Sequence, residues 1–274
     1  MDLSHLPTEA INESTRDLSR VSTREAMLLI NDEDQKVAPA VRECVDEIAQ
    51  AVDEISARLK NGGRLFYIGA GTSGRLGILD ASECPPTFGT EPELVQGLIA
   101  GGIEAVFKSR EGAEDEVQGG VAQLQERGFS AGDCLVGIAA SGRTPYVIGA
   151  LQYARELGAL TVGLTMNPNA AQKEHCDIFI APQVGAEALT GSTRMKSGTA
   201  QKLVLNMIST GVMLRLGKVE GNLMTKVQAW CEKLVDRQER LVMNLAGVDS
   251  QTARRALDEN DGDVESAVKA LAQG

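Results

Sequence analysis

Three segments rich in glycine and in serine or threonine carry the clearest chemical signal in this sequence. They are 69–74 (GAGTSG), 140–144 (ASGRT) and 191–198 (GSTRMKSG). The first two lie between an apolar run and a predicted helix, and the third opens a long predicted helix. Hydroxyl groups and backbone N–H groups at the positive end of a helix dipole bind compact dianions. The three loops together therefore predict a site for a phosphomonoester such as a sugar phosphate.

The first loop also satisfies the pattern G-x-G-x-x-G, which is typical of dinucleotide-binding folds, with Glu91 or Glu93 as the acid that would bind a ribose. A pyrophosphate pressed against the backbone requires glycine more than hydroxyl side chains. The tripeptide Ser-Gly-Arg occurs at 73–75, after the first predicted strand, and again at 141–143, after the third. This repetition favours a phosphosugar site, and a nicotinamide-dependent dehydrogenase is the alternative.

Two acidic segments offer general acid–base chemistry. Glu83 precedes Pro85-Pro86, which is expected to end a helix, so Glu83 is predicted to lie at the negative end of that helix or in the loop beyond it. That field favours the protonated form, which suits a general acid. Glu114 is predicted to lie at the start of a helix, where the ionised form suits a general base. These arguments alone do not select two residues from 38 acidic ones.

The elements that must position these loops follow from hydrophobic patterning. Short apolar runs bounded by Gly, Pro or Asp alternate with helical stretches, at 65–68, 94–99, 135–139, 160–164 and 178–180. Buried strands separated by helices are typical of a parallel sheet covered on both faces. The sequence therefore predicts an α/β protein with a doubly wound parallel sheet.

Helical spacing extends on both sides of this region. One helix is predicted over 39–59, another over 197–216, and an amphipathic stretch over 230–245, followed by short helices. Asn12 or Ser14, Ser250 and Asp263 are the predicted N-caps. We expect an N-terminal helical segment at 1–60 packed on a phosphosugar domain at 61–220, and C-terminal helices at 221–274.

Composition excludes several classes of function. The chain of 274 residues has 27 basic and 38 acidic side chains, for a net charge of −11, and this balance disfavours nucleic-acid binding. No apolar run reaches the length of a membrane helix, and the N-terminus lacks a signal-peptide pattern. Five scattered cysteines without C-x-x-C, and only two histidines, predict a cytoplasmic protein with no metal site.

Longer motifs resemble the N-acetylmuramic acid 6-phosphate etherases. They comprise 69–86, 111–115 and 139–146, and the stretch 184–202 is similar to the signature that these etherases share with the glucokinase regulatory proteins. The resemblance runs in order from about Thr8 to Leu245. It implies the sugar isomerase (SIS) fold, a flavodoxin-like parallel sheet with flanking helices. The stretch 247–270 is similar to a three-helix ubiquitin-associated (UBA-like) module, which we interpret as accessory.

The resemblance implies a lyase that cleaves the D-lactyl ether of N-acetylmuramate 6-phosphate, in the recycling of cell-wall amino sugars. By the same resemblance, Glu83 protonates the departing lactate and Glu114 is the second catalytic glutamate, with no cofactor. The fold family implies a homodimer with sites near the interface and with 39–59 and the helix from 197 in the contact. The expected substrate-binding residues are Thr72, Ser73, Ser141, Arg143 and Thr144, then Ser192 and Thr193, with Glu187 and Lys196 lining the site.

Three alternatives remain open beside the etherase. A non-enzymatic sugar-phosphate sensor would resemble the regulatory relatives, but such a regulator is expected to carry two SIS units. A phosphosugar isomerase would also need an acid–base pair, but the context Ser82-Glu83-Cys84-Pro85-Pro86 points away from it. A dehydrogenase would bind nicotinamide.

Overall fold

The sheet has five parallel strands, all buried. The computed structural model describes residues 7–226 and 232–273. The strands are β1 (Leu65–Gly69), β2 (Val95–Ile99), β3 (Cys134–Ile138), β4 (Leu160–Leu164) and β5 (Ile178–Ile180). Their order is β2-β1-β3-β4-β5, and Leu65 of β1 is in register with Val95 on one side and Cys134 on the other. The predicted α/β doubly wound parallel sheet is confirmed, and its order reverses between β1 and β3.

Helices cover both faces of this sheet. They are α1 (Thr23–Asp34), α2 (Val37–Arg42), α3 (Val45–Lys60), α4 (Gly71–Phe88), α5 (Glu104–Phe107), α6 (Val117–Glu126), α7 (Pro145–Glu156) and α8 (Lys196–Arg215). Short 3-10 helices lie at Pro7–Glu9, Glu13–Thr15, Ala113–Asp115 and Ala171–His175. One hydrophobic cluster joins the sheet to α2, α3, α4 and α8, and a second joins the opposite face to α6 and α7. Both faces of the sheet are therefore buried from solvent, as is typical of strands that are apolar on both sides.

The single helix predicted over 39–59 is wrong. The chain leaves helical geometry at Cys44, where φ is −106° and ψ is 14°, so α2 ends at Arg42 and α3 begins at Val45. At the break the Cys44 N–H donates to the carbonyl oxygen of Val41, three residues earlier, and Val45 is 40% exposed, whereas Val41 and Ile48 are buried. A continuous helix would place all three apolar side chains on one face, so the break removes Val45 from the core.

The last three helices enclose a hydrophobic cluster of their own. They are α9 (Glu232–Ala246), α10 (Ser250–Asp258) and α11 (Val264–Gln273), and their shared core is built around Val242, Ala253 and Val264. Part of the amphipathic stretch predicted over 230–245, including Trp230, lies outside the described residues.

Two of the three predicted caps are confirmed and one is wrong. Asn12 caps the 3-10 helix at Glu13–Thr15 by accepting from Ser14 N, and Asp263 caps α11 by accepting from Ser266 N at 2.8 Å. The cap of α10 is Asp249, which accepts from Thr252 N at 2.8 Å, and not Ser250. Asp and Ser are about equally good caps, so the pattern could not choose between adjacent positions.

None of the helices in the described ranges is long and apolar enough to cross a membrane. Within the same ranges, no three His, Cys, Asp or Glu side chains are grouped to hold a metal ion.

Candidate functional site

The β1–α4 loop lies at the carboxyl edge of the sheet and contacts the start of α8. The helix α4 begins at Gly71, whose φ is +53°, and its N-cap Ala70 supplies no side-chain cap. Ser73 donates a hydrogen bond from Oγ to Gln201 Oε1 at 3.1 Å. A Cβ at Gly198 would lie 3.3 Å from Cγ2 of Thr72. Two predicted binding loops, far apart in sequence, therefore meet at one edge, with free backbone N–H groups at the start of α4.

The β3–α7 loop carries the second predicted set of hydroxyls. Gly142 has a φ of +66°, and a Cβ there would lie 2.2 Å from that of Ala170, so only glycine fits. Ser141 Oγ accepts from Arg143 N at 3.3 Å, which leaves its own proton available to a ligand. Thr144 is the N-cap of α7 and makes no side-chain cap hydrogen bond. The Arg143 side chain is exposed. This loop follows the strand next to β1, at the point where the sheet order reverses, which is where such folds bind ligands.

The loop before α8 is held by a buried carboxylate. Both oxygens of Glu187, which is fully buried, accept from the start of α8: Oε2 from Lys196 N at 2.8 Å, and Oε1 from Ser197 N at 2.9 Å and Ser197 Oγ at 2.6 Å. Glu187 therefore caps α8, and its place in the lining of the substrate site stays a prediction. Ser192 and Thr193 lie half-buried in the loop that Glu187 holds.

Lys196 is also buried at the start of α8. Its side chain is 1% exposed, and Nζ lies 2.6 Å from Oε2 of Glu33 on α1. Lys36 contacts the other oxygen of Glu33 at 2.5 Å. Burial by itself raises the pKa of Glu33, but the hydrogen bonds from Lys196 and Lys36 outweigh it and lower that pKa to about 2. Lys196 therefore ties α1 to the start of α8.

Breaking this buried pair should cost stability. In Glu33→Gln the ammonium of Lys196 keeps its burial but loses its carboxylate, and we expect the free energy of unfolding at pH 7 to fall by about 3–5 kcal/mol. Because the pKa of Glu33 is lowered on folding, the stabilisation is present above the ordinary value of 4.5 and is lost as the pH falls towards about 2. Denaturant titrations at pH 7 and pH 3 should show the difference between the two proteins narrowing with acid.

The matched control for this prediction is Glu13→Gln, which removes an exposed ion pair with Arg16. We expect no measurable change from it at either pH, because exposed pairs contribute little. An equal effect of both substitutions would contradict the assignment of stability to the buried pair.

Glu114 lies in a cavity of ≈ 250 Å³ between the carboxyl ends of β1 and β2. Arg75 is held there by its Nε and Nη2, which donate to the carbonyl oxygens of Val106 at 2.8 Å and Ala105 at 2.7 Å. The cavity is lined by Ala70, Gly71, Arg75, Ala100, Ala105, Ser109, Arg110, Glu111, Gly112 and Glu114. The cavity combines two carboxylates, those of Glu111 and Glu114, with two guanidinium groups and the start of α4. The guanidinium groups and the helix start are suited to an anionic substrate, and a carboxylate can act there as a base.

Ser109, Arg110 and Glu111 were not among the predicted site residues. A signal for them existed, because they follow β2, and the carboxyl ends of parallel strands meet at the same edge of the sheet. The four-residue α5 between β2 and these residues was not recognised in the sequence. Glu114 itself lies in the 3-10 helix Ala113–Asp115 and not in the first turn of α6, and its side chain is exposed.

Glu83 does not lie at a helix end. The helix α4 continues through Pro85 and Pro86 and ends at Phe88, with Gly89 as its C-cap at a φ of +59°. The prediction that the proline pair stops the helix is wrong, because Ala81, Cys84 and Phe88 bury the inner face of the same turns and offset the lost hydrogen bonds.

The two glutamates are far apart within one chain. Glu83 is exposed and lies twelve residues after Gly71, a residue of the Glu114 cavity. At the helical rise this is about 18 Å along the axis of α4. One chain therefore brings together the hydroxyl loops and Glu114 at the carboxyl edge but leaves Glu83 outside that group. The neighbouring thiol of Cys84 is buried, which raises its pKa to about 12, so it is not a reactive group.

Comparison with known proteins agrees with this fold. Residues 47–155 match the family model of the glucokinase regulatory protein N-terminal SIS domain, and residues 113–210 match that of the SIS domain. A phosphoheptose isomerase from Francisella tularensis has the same fold, with a TM-score of 0.51 and 18% identity over 70% of this chain and 98% of that one. The parallel sheet and its loops at the carboxyl edge thus define a SIS-domain protein.

Two curated relatives narrow this class. An N-acetylmuramic acid 6-phosphate etherase from Clostridium beijerinckii is 54% identical over 268 residues, which are 98% of this chain and 88% of that protein. Another from Symbiobacterium thermophilum is 55% identical over 274 residues, which are 100% of this chain and 91% of that protein. The chain belongs to the N-acetylmuramic acid 6-phosphate etherase family.

Proposed function

We propose that this protein cleaves the D-lactyl ether of N-acetylmuramate 6-phosphate, with water, to N-acetylglucosamine 6-phosphate and D-lactate. The observation that carries the proposal is the identity of more than half of the residues, over nearly the whole chain, with relatives of that name. The Glu114 cavity beside the hydroxyl-rich loops supports it, since it combines a base with an anion-binding edge. The proposal includes a cytoplasmic location and a role in the recycling of cell-wall amino sugars.

The chemistry is an elimination followed by a hydration. Opening of the sugar ring exposes an aldehyde at C1, which makes the C2 proton acidic. Glu114 removes that proton, and the C3–O bond breaks as Glu83 protonates the leaving lactate oxygen. Water then adds to the unsaturated aldehyde, its hydroxyl to C3 and a proton to C2. Each step needs only proton transfers by carboxyl groups, so no cofactor is required.

The phosphate is assigned to the hydroxyl loops at the switch point of the sheet. Thr72 and Ser73 lie on one side, Ser141, Arg143 and Thr144 on the other, and Ser192 and Thr193 precede α8. Backbone N–H groups at the start of α4 complete the site. Glu187 and Lys196 support the site through buried contacts at the start of α8, which hold the loop of Ser192 and Thr193 in place.

Removing one phosphate-binding hydroxyl should weaken binding more than chemistry. For Ser141→Ala we expect the affinity for N-acetylglucosamine 6-phosphate to fall about 10-fold to 100-fold, the size of a hydrogen bond to a charged group. Ser73→Ala should weaken it less, because the Ser73 hydroxyl already donates to Gln201. Calorimetric titration measures both, with the exposed Ser266→Ala on α11 as control. Unchanged affinity in both site variants would contradict the assignment of the phosphate to the loops of Ser73 and Ser141.

A homodimer is part of the proposal. Four apolar side chains on one layer of helices are between 38% and 51% exposed. They are Val45 on α3, Leu79 on α4, and Met207 and Leu214 on α8. A groove of ≈ 520 Å³ runs between α3 and α8. A second copy of the chain on this layer would cover these residues. Because Glu83 lies on α4 and about 18 Å from the start of that helix, we assign the acid of each site to the partner subunit.

Mixing two inactive variants tests this assignment. If Glu83 and Glu114 of one site come from different subunits, a heterodimer of Glu83→Gln and Glu114→Gln contains one intact site. Random reassortment then restores about one quarter of wild-type activity. The control is the double variant mixed with wild type, which forms no additional intact site. If the mixture of single variants stays inactive although exchange is complete, both glutamates act within one chain.

The first assay is D-lactate release from N-acetylmuramate 6-phosphate in heavy-oxygen water. Lactate release with label at C3 of the sugar is the expected result. A second candidate function, a sugar-phosphate sensor, is favoured by the match to the regulatory protein's SIS domain over 47–155. Tight phosphosugar binding without release of lactate would establish that second candidate.

The domain organisation is also part of the proposal. We propose that residues 1–60 support the phosphosugar domain at 61–220, and that 221–274, with its UBA-like helices, is accessory.

A further inference from the structure

A buried polar cluster joins α4 to α8 just before the turn that carries Glu83. Asp80 is 6% exposed. Its Oδ1 accepts hydrogen bonds from Asn206 Nδ2 at 2.7 Å and from Ser209 Oγ at 3.1 Å. The side chain of Tyr67, on β1, lies next to the same carboxyl: burial and then the charge of Asp80 raise the pKa of that phenol well above its ordinary value. One carboxyl group therefore links α4 to α8 and approaches the sheet.

Backbone hydrogen bonds hold the turn at Glu83 less firmly than an ordinary helical turn. Pro85 and Pro86 lie inside α4 and have no N–H to donate to the carbonyl oxygens of Ala81 and Ser82, four residues earlier. Those two residues immediately precede Glu83. The orientation of the turn must therefore depend more on side-chain contacts, and the side-chain hydrogen bonds from this part of α4 to α8 are those of Asp80.

The polar cluster around Asp80 is not expected to add much to the stability of the fold. A buried carboxyl group loses its hydration, which here raises the pKa of Asp80, and its hydrogen bonds only offset that cost. Apolar side chains that fill the same volume often stabilise a fold equally well. A directional contact, by contrast, sets the rotation and the height of one helix against its neighbour. The cluster is suited to orienting α4.

We infer that Asp80 is a positioning residue for Glu83, and that its hydrogen bonds to Asn206 and Ser209 fix the turn of α4 that presents Glu83 to the substrate. The inference rests on the proposed role of Glu83 as the acid. Asp80 itself is buried and does not touch the substrate.

A double-mutant cycle on D-lactate release tests the inference. Asp80→Ala should lower kcat about 100-fold, as a misplaced catalytic group does, and change KM by less than about threefold. In the Glu83→Gln background the same substitution should change kcat by less than about threefold, because no acid is left to position. A loss of equal size in both backgrounds, or a rise in KM in place of the fall in kcat, would overturn the inference.

Conservative and indirect variants keep the test informative. Asp80→Asn retains Oδ1 as an acceptor and should recover kcat to within about fivefold of wild type. If Asp80→Ala does not fold, Asn206→Ala and Ser209→Ala replace it in the cycle and should show the same dependence on Glu83. If Glu83→Gln alone has wild-type kcat, the proposed role of Glu83 fails and this inference fails with it. If Glu83→Gln alone has a low kcat, and the double variant's loss of kcat is the product of the losses in the two single variants, only the positioning role of Asp80 fails.

Discussion

Glu83→Gln is expected to lower the turnover of N-acetylmuramate 6-phosphate by about 100-fold to 10,000-fold while leaving phosphosugar affinity nearly unchanged. An ether oxygen is a poor leaving group unless it is protonated, and glutamine cannot supply the proton. The side chain is exposed on α4, twelve residues after the start of that helix at the hydroxyl loops, so the substitution should not disturb phosphate binding. Steady-state kinetics of D-lactate release together with calorimetric binding of N-acetylglucosamine 6-phosphate measure both quantities.

The control for Glu83 is Glu126→Gln, an exposed glutamate at the end of α6. We expect wild-type turnover from it. Because Glu114 remains in place, Glu83→Gln should still exchange the C2 proton of the substrate with solvent deuterium. Wild-type turnover of Glu83→Gln would refute the assignment of the acid.

Glu114→Gln is expected to lower turnover by a similar factor of about 100-fold to 10,000-fold, and it should also abolish exchange of the C2 proton. The reason is that removal of this proton precedes every later step, and the amide of glutamine is not a base at neutral pH. Proton NMR of the substrate in deuterium oxide follows the exchange directly. Binding of the phosphosugar should persist, since the phosphate is assigned to other loops.

Asp115→Asn is the matched control for Glu114. It changes the adjacent exposed carboxylate, which does not line the cavity. Near-normal turnover and exchange are expected from it. Continued exchange at the wild-type rate in Glu114→Gln would assign the base to another residue, and Glu111 in the same cavity is then the next one to substitute.

Strand positions could be predicted closely from the sequence. The runs 160–164 and 178–180 coincide with β4 and β5. Each strand is buried and bounded by residues that disfavour its extension, so local composition alone is informative. The hydroxyl loops could also be placed, because in a parallel sheet every strand-to-helix loop emerges at the same edge.

Long-range partners could not be predicted in the same way. Lys196 carries a cation that patterning could assign equally to a ligand or to the surface, and its partner Glu33 lies 163 residues earlier. Glu187 was assigned to the site for the same reason, although its oxygens cap α8. A charged side chain gives no sign in the sequence of whether it will be buried against an opposite charge, because that depends on which elements pack together.

The sequence by itself determined the class of the fold, the edge of the sheet where the hydroxyl loops meet, and the family to which the chain belongs. These properties depend on local pattern and on motifs whose residues are close in the chain. The tertiary structure alone decided that α4 continues through Pro85 and Pro86, that Lys196 is buried against Glu33, and that Glu83 and Glu114 are separated within one chain. Each of these depends on packing energy between distant segments, and that energy outweighs local preferences.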